Sequence, residues 1–518
     1  MPAPLRIAVL SGVCCFTLAC WIVHQVAVQE ISRGDSVAVT SPVKAHLLNG
    51  FTIVYPQGVS IVRDTVRGPG TSYDLRLANP VPVTRVPLDS VLGMENYRTE
   101  VNSGATVGLS LLTAGAVGLG TIAIACAIDP KCFGSCPTFY SDSGGTPVLE
   151  AEGFSYSIAR LFEARDVDRL RAHADANGEL RVETRNEAYE THYLNHLELL
   201  EVRHGTDEMV LPDASGRLLA VHDLRAPAVA RDHAGRDLRS LLAQADGRVF
   251  QTDRGTLARA APGGLDDEIV LEIPIAPGAD SAAILFRMRN SLLNTVLLYD
   301  MMLGDAGARS LDWVAGDLER IGPAVQLGQW YVSHMGMRVS VWRDGGWQEA
   351  GRIKDTGPVA WKDVAIVVPI PRGETLRVRL SFVADNWRID RVAVSFAVRA
   401  PRVTTYPLAH VLGAGGAEDT TALASLAAAD GRYLETLPGQ FFTAVWQTGP
   451  QPPDSTRTFL LASQGYYTEW IRRGWIAAGR RTTPFAPTDD ALAEAVARYR
   501  RVKDTLEVRF AATRVPVR

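Results

Sequence analysis

The stretch LRVRLSFVADNWRIDRVAV, residues 376–394, decides the fold. Leu376, Val378, Leu380 and Phe382 alternate with Arg377, Arg379 and Ser381, and beyond a polar break Val392, Val394, Phe396 and Val398 take up the same spacing. A period of two puts apolar side chains on one face of a strand and polar ones on the other. The pattern recurs on the N-terminal side. Leu180, Val182 and Thr184 alternate with Arg181, Glu183 and Arg185, and Ile269, Leu271, Ile273 and Ile275 share one face. Turns rich in Gly, Pro and Asp separate these runs. The expected class is therefore mainly β, with antiparallel sandwich-type domains.

At 518 residues the chain exceeds what one hydrophobic core can hold. The expected layout has a signal peptide or signal anchor over 1–29 and a small β domain over 36–100. A hydrophobic, glycine-rich membrane segment follows over 101–128, then a β domain over 136–260, a sandwich-like domain over 261–400 and a C-terminal α+β region over 401–518. In the small domain, FTIVYPQGVSIVRDTV (51–66) holds two strand runs split by Pro56-Gln57-Gly58, and SYDLRLA (72–78) alternates again. Helix signals are few. Residues 310–321 carry one, and DDALAEAVARYRRVK (489–503) carries another, with Thr488 as N-cap, Asp489 and Asp490 in its first turn and a Leu492/Val496/Tyr499 stripe. TLEVRF (505–510) reads as a final strand.

Two apolar runs point to a membrane. IAVLSGVCCFTLACWIVHQVAV (7–28) has no charged residue and follows a basic start, the layout of a secretory leader or anchor. Thr17-Leu18-Ala19 before Cys20 resembles a bacterial lipobox with its leucine one place late, which makes Cys20 a candidate for lipidation. TVGLSLLTAGAVGLGTIAIACAI (106–128) is long enough to cross a bilayer as a helix, although a buried core helix has the same composition. A single crossing there would put the small β domain and everything after it on opposite sides. Asp129 and Lys131 cancel, so flanking charge does not orient the segment.

The net charge of −4 and the absence of a basic stretch argue against nucleic acid. No cysteine follows Cys136, which excludes a disulfide scaffold or thiolate zinc site in the main body. Cys132 and Cys136 could close a tight disulfide through Gly134-Ser135, remain thiols, or give way to a pairing that involves Cys126. Ser141-Asp142-Ser143-Gly144-Gly145 looks like a serine-protease nucleophile loop, but the only upstream histidines are His24 and His46, so a hairpin turn is the simpler reading. His192 and His196 have zinc-ligand spacing and would share parity on a strand, yet lack the acidic neighbour of a helical zinc hydrolase. No metal ligand, cofactor or catalytic residue is therefore assigned, and Asp300, Asp305, Asp312 and Asp317 sit at no spacing that defines an acid–base pair. Trp387, Trp342 and Trp347 are the candidate ligand-contact aromatics, with a core role as the alternative. AQADGRVFQTDRG (243–255) and AAADGRYLETLPG (427–439) share an Asp-Gly-Arg turn, a hint of a duplicated β unit.

CPTFYSDSGGTPVLEAEGF (136–154), ETHYLNHLELLEVRH (190–204), RLLAVHDLRAPAVARDHAGRDLRSLL (217–242), GWQEAGRIKDTGPVAWKDVAIVVPI (346–370) and LRVRLSFVADNWRIDRVAV (376–394) extend the case. Together they resemble a β-rich region of exported bacterial proteins that carry FG-GAP (integrin-α-like) repeats and an ASPIC/UnbV module. The resemblance covers about residues 136–400. It implies export and β architecture, and it implies no activity. The FG-GAP calcium loops have no counterpart here, so their metal binding does not carry over. The resulting expectation is a bacterial cell-envelope protein, membrane-anchored, with its C-terminal part outside the cytoplasm. Membrane lipid is the expected partner, and beyond it a glycan or an envelope protein. Binding or a structural role is expected rather than catalysis, with an exported hydrolase of polysaccharide or protein as the alternative.

Overall fold

The computed structural model describes residues 36–74, 79–97, 136–371, 373–450, 456–479, 481–483 and 485–517. The leader, Cys20, the 101–128 run and Cys132 lie outside the described residues. Among those described, no helix is long and apolar enough to cross a membrane.

The N-terminal sheet contains β1 (Val37–Val39), β2 (Val43–Leu47), β3 (Thr52–Tyr55), β4 (Val59–Val62), β5 (Thr65–Tyr73), β6 (Val81–Pro87) and β7 (Val91–Asn96), with every pairing antiparallel. Its inward residues, among them Val43, Ile53, Tyr55, Val66 and Met94, are buried. Five further strands follow, β8 (Thr138–Ser143), β9 (Thr146–Glu152), β10 (Ala164–Arg169), β11 (Glu179–Arg185) and the long β12 (Glu190–His204). Then come β13 (Met209–Pro212), β14 (Leu218–His222), β15 (Val229–Asp232), β16 (Asp266–Pro274) and β17 (Ser281–Asn290). After a helical insertion the chain resumes with β18 (Met337–Arg343), β19 (Gly346–Ile353), β20 (Lys362–Pro369), β21 (Thr375–Val383) and β22 (Trp387–Ser395). The last strands are β23 (Ala397–Arg399), β24 (Val403–Tyr406), β25 (His410–Gly413), β26 (Leu434–Thr436), β27 (Phe441–Gln447), β28 (Thr456–Glu469) and the short β29 (Ile471–Arg472).

These strands build two nested sandwiches. The inner one packs the sheet β15-β16-β21-β18-β19 against β20-β17-β22 around Leu271, Phe286, Val339, Leu380, Trp387 and Ile389. The outer one packs β25-β27-β11-β8-β9 against β10-β28-β12-β24 around Phe139, Leu180, Leu194, Phe442, Trp446 and Leu461. The outer sandwich is assembled from residues on both sides of the inner one. The sheets therefore cut across the boundaries expected at 260/261 and 400/401, because alternation marks a strand without saying which strand it pairs with.

The small sheet β13-β14-β23 lies between the sandwiches. Val210 and Ala220 face the outer sandwich through Val202 and Leu460, while Leu211 and Val221 face the inner one through Leu285 and Ala393. Burial on both faces explains why MVLP and LLAVH are apolar runs without alternation. The result is a five-layer stack.

One helical region was not among the expected elements, and one expected strand is corrected. SLLNTVLLYDMMLG (291–304) forms a short helix running into a π-helical segment, Val296–Gly304, and helices follow at Arg309–Gly316 and Ile321–Met335. Val296 to Leu303 are buried apart from Asp300, so no polar face marks the periodicity. TLEVRF is not a strand, because the C-terminal helix runs unbroken from Asp489 to Ala512. Leu506 and Phe510 extend its apolar stripe at helical spacing into the core that the N-terminal sheet shares with the helical insertion.

Candidate functional site

The two sandwiches are built alike. The hairpin β8–β9 pairs Phe139 with Ala151, skips Glu150, and pairs Asp142 with Pro147. The hairpin β18–β19 pairs Val339 with Gly351, skips Ala350, and pairs Trp342 with Trp347. A second bulge repeats as well. Asn195 is skipped where β12 meets β28, and Asp390 where β22 meets β17. Each skipped residue holds the Asp-Gly-Arg turn noted in the sequence: Asp390 Oδ1 accepts from Gly247 N at 3.0 Å, and Asn195 Oδ1 accepts from Gly431 N at 3.2 Å. Bulges are specific local features, so two shared bulges and one shared turn dock establish equivalence. The unit is duplicated, and the duplicate is circularly permuted: the outer sandwich begins at the strand equivalent to β18 and ends with those equivalent to β15–β17.

Equivalence gives every surface position an internal control. Met337, Val339 and Val341 point into the core of the inner sandwich, so Arg338, Ser340 and Trp342 point outward. By the same alternation Arg377 and Arg379 lie on the outer face of β21. Trp342 and Trp347 are half-buried there, edge to face with centroids 5.3 Å apart. The Arg377 guanidinium lies 5.3 Å from the Trp342 ring and 5.7 Å from that of Trp347, and Arg379 lies 4.8 Å from Trp347. Glu272 and Glu268 pair with those arginines. At the equivalent places the outer sandwich has Asp142 and Pro147 in its hairpin. Its hairpin closes with the same register and bulge, so the fold does not require the tryptophan pair.

The other sequence-marked residues are placed differently. Trp387 is fully buried in the inner core and is unavailable to a ligand, a correction that follows from its position on the inward face of β22. Ser141–Gly145 is the end and turn of a hairpin, where Gly145 N donates to Asp142 Oδ1 at 2.8 Å. His192 and His196 do not share a face: the bulge at Asn195 reverses parity, leaving His192 buried and His196 half-buried on the other side. Asp305 binds Arg481 and Arg498, Asp312 caps the backbone of Thr40 and Ser41, and Asp317 pairs with Arg320. Among the described residues no group of His, Cys, Asp and Glu is placed to hold a metal ion.

Sequence reasoning missed a buried polar network at the junction of the outer sandwich and the helical insertion. Glu190 Oε1 meets His192 Nε2 at 2.6 Å, and the charge of Glu190 acts on the buried Glu469, which pairs with Arg472. Asp355 accepts from Ser155 and Tyr331, each at 2.6 Å. Burial pushes Glu190 up to about 8 and His192 down to about 3. Burial also raises the Cys136 thiol, reinforced by the charges of Glu152, Glu190 and Asp355. A thiol held protonated is a poor nucleophile. Cys136, Glu190, His192 and Glu469 are all buried, so this network has carboxylates and a thiol without access for a substrate. A shallow surface cavity of about 370 Å³ beside Gly413, Glu418 and Phe442 offers little more, since Asp419 caps the helix Thr420–Leu426 and Glu418 pairs with His410.

No family's sequence profile matches the chain, and no curated protein matches it. Among solved structures, the C-terminal CBM6 of LamC, a marine laminarinase from Zobellia galactanivorans, aligns at 10% identity over 38% of this chain and 98% of that one, with a TM-score of 0.14. The secreted serine protease VesC from Vibrio cholerae aligns at 9% identity over 51% of this chain and 60% of that one, again with a TM-score of 0.14. Likeness at this level carries no functional argument.

Proposed function

We propose that the protein is a membrane-attached cell-envelope protein whose sandwiches form a non-enzymatic binding body, with the Trp342–Trp347 face as its glycan-binding surface. The observation that carries the binding face is the internal control. An indole pair stands on the outer face of one hairpin, and the equivalent hairpin folds with Asp142 and Pro147 instead. Indole rings offer broad apolar faces to the C–H face of a sugar ring, while Arg377 and Arg379 supply donors to hydroxyl or carboxylate oxygens. Attachment to the envelope is supported by the charge-free leader at 7–28 and the apolar run at 106–128.

The test is retention of the purified full-length protein on a panel of neutral and uronate-containing polysaccharides, peptidoglycan included. Trp342→Ala and Trp347→Ala are each expected to weaken retention at least about tenfold, as truncating a central aromatic contact does. Asp142→Ala on the equivalent hairpin should leave it unchanged. Equal retention by the Trp342→Ala/Trp347→Ala double variant, at an unaltered melting temperature, would refute the assignment.

A further inference from the structure

The structure bears on the side of the membrane that each part occupies, an inference that rests on the membrane attachment proposed above. We infer that residues 36–97 and residues 136–517 lie on the same side of the bilayer. The N-terminal sheet is not a separate module joined by a tether. Its β7 is extended by β29 from the far end of the chain, with Ile471 opposite Met94 and Arg472 opposite Gly93. Beside that pairing, the indole of Trp470 stacks on His46 with centroids 3.8 Å apart and planes within 3°.

A buried chain of hydrogen bonds crosses the same junction. His46 Nε2 meets Glu95 Oε1 at 2.9 Å, Thr191 Oγ1 donates to Glu95 Oε2 at 2.6 Å, and Trp470 Nε1 donates to Thr191 Oγ1 at 2.9 Å. Glu95 is fully buried, so pulling the two parts apart would strip it of Thr191 and expose the core around it. On the opposite flank the Asp312 carboxylate accepts from Thr40 N and Ser41 N, each at 2.9 Å. One apolar core, running through Val43, Ile53 and Met94 to Leu297, Met302, Leu311 and Tyr499, joins both parts. A strand pair, a buried polar chain and a common core cannot be shared across a hydrocarbon layer. These contacts are incompatible with a bilayer lying between the two described parts.

The experiment introduces one exposed cysteine into each part of the full-length protein, Gln57→Cys in the N-terminal sheet and Ala428→Cys in the outer sandwich. Each variant is labelled in intact cells with a membrane-impermeant maleimide and compared with lysed cells and with the unsubstituted protein. The two sites are expected to give the same labelled fraction before lysis. Labelling of one site in intact cells, with the other reactive only after lysis by tenfold or more, would overturn the inference. Fractionation keeps the two claims apart: recovery of the protein without detergent from the soluble fraction would remove the membrane reading while the two sites still label alike.

Discussion

Replacing Glu152 by Gln should make the protein less sensitive to rising pH, and the size of the effect follows from the carboxyl group's surroundings. Glu152 ends β9 and is 2% exposed. Its Oε2 accepts from Val359 N at 2.7 Å and Ala360 N at 3.2 Å, while Oε1 has no partner among the described residues. Gly357, at φ +77°, lies so close that an added Cβ would sit 2.3 Å from the carboxylate. Burial pushes this group up to about 8; the two backbone donors and Arg514 pull it down, and the charge of Asp355 pushes it up. The folded protein thus keeps a proton that the unfolded chain releases near 4.5. Stability contributed by this group is complete below pH 4.5 and is lost as pH rises toward 8, at about 1.4 kcal/mol per pH unit. Over the window the loss approaches about 5 kcal/mol. Glutamine presents the same carbonyl to Val359 and Ala360 and carries no proton to lose. Urea unfolding at pH 5, 6, 7 and 8 should therefore show Glu152→Gln within about 1 kcal/mol of the unsubstituted protein at pH 5 and several kcal/mol more stable at pH 8. Parallel curves for the two proteins would refute the reasoning.

Two further perturbations probe how the layers are joined. Lys362, on β20, is half-buried between Asp166 at 2.5 Å and the buried Asp168 at 2.7 Å on β10; Lys362→Met leaves two neighbouring carboxylates unpaired and should cost about 3 kcal/mol in urea unfolding, with recovery when both aspartates become Asn. Trp470→Ala removes a buried indole and its bond to Thr191, for a loss of about 3–5 kcal/mol, and limited proteolysis should then release residues 36–97 faster than in the unsubstituted protein.

Much of the fold was written in local alternation, and what was missed has physical causes. Leu376 to Phe382 became β21 and Leu180 to Thr184 became part of β11, since a half-buried strand needs only its own periodicity to be seen. Nesting was invisible because β11 pairs with β27, more than 250 positions away, and periodicity does not encode a partner. The π-helical segment Val296–Gly304 lacked an amphipathic stripe because it is buried nearly all round. TLEVRF misled because Thr, Val and Phe favour strands locally, while Leu506 and Phe510 continue the spacing of Tyr499 and Val502 on a helix. Among the candidate site residues, Trp342 and Trp347 face outward but Trp387 does not. All three are tryptophans near turns, and only their parity within the strand separates them. Asp390 and Asn195 were overlooked, although the Asp-Gly-Arg echo pointed to the turns that they hold.

The layering explains why one face of this molecule is a better candidate than the rest. The sheet β10-β28-β12-β24 is covered on one side by its own sandwich and on the other by β13 and β14, and β20-β17-β22 is enclosed in the same way. Neither can offer a flat surface to a ligand. That leaves the outermost faces of the five-layer stack. On the outer sandwich that face is partly taken by the chain itself: Arg514 donates to the Tyr140 hydroxyl at 3.1 Å, and Val515 N donates to Glu187 O at 2.8 Å. The opposite face carries Trp342 and Trp347 on the hairpin β18–β19 at one edge of the sheet, braced by Arg377 and Arg379 from the central β21. A duplicated unit that keeps its bulges and turn docks while its two outer faces diverge has preserved what folding needs. The diverged Trp342–Trp347 face is therefore the place at which the proposed binding is tested.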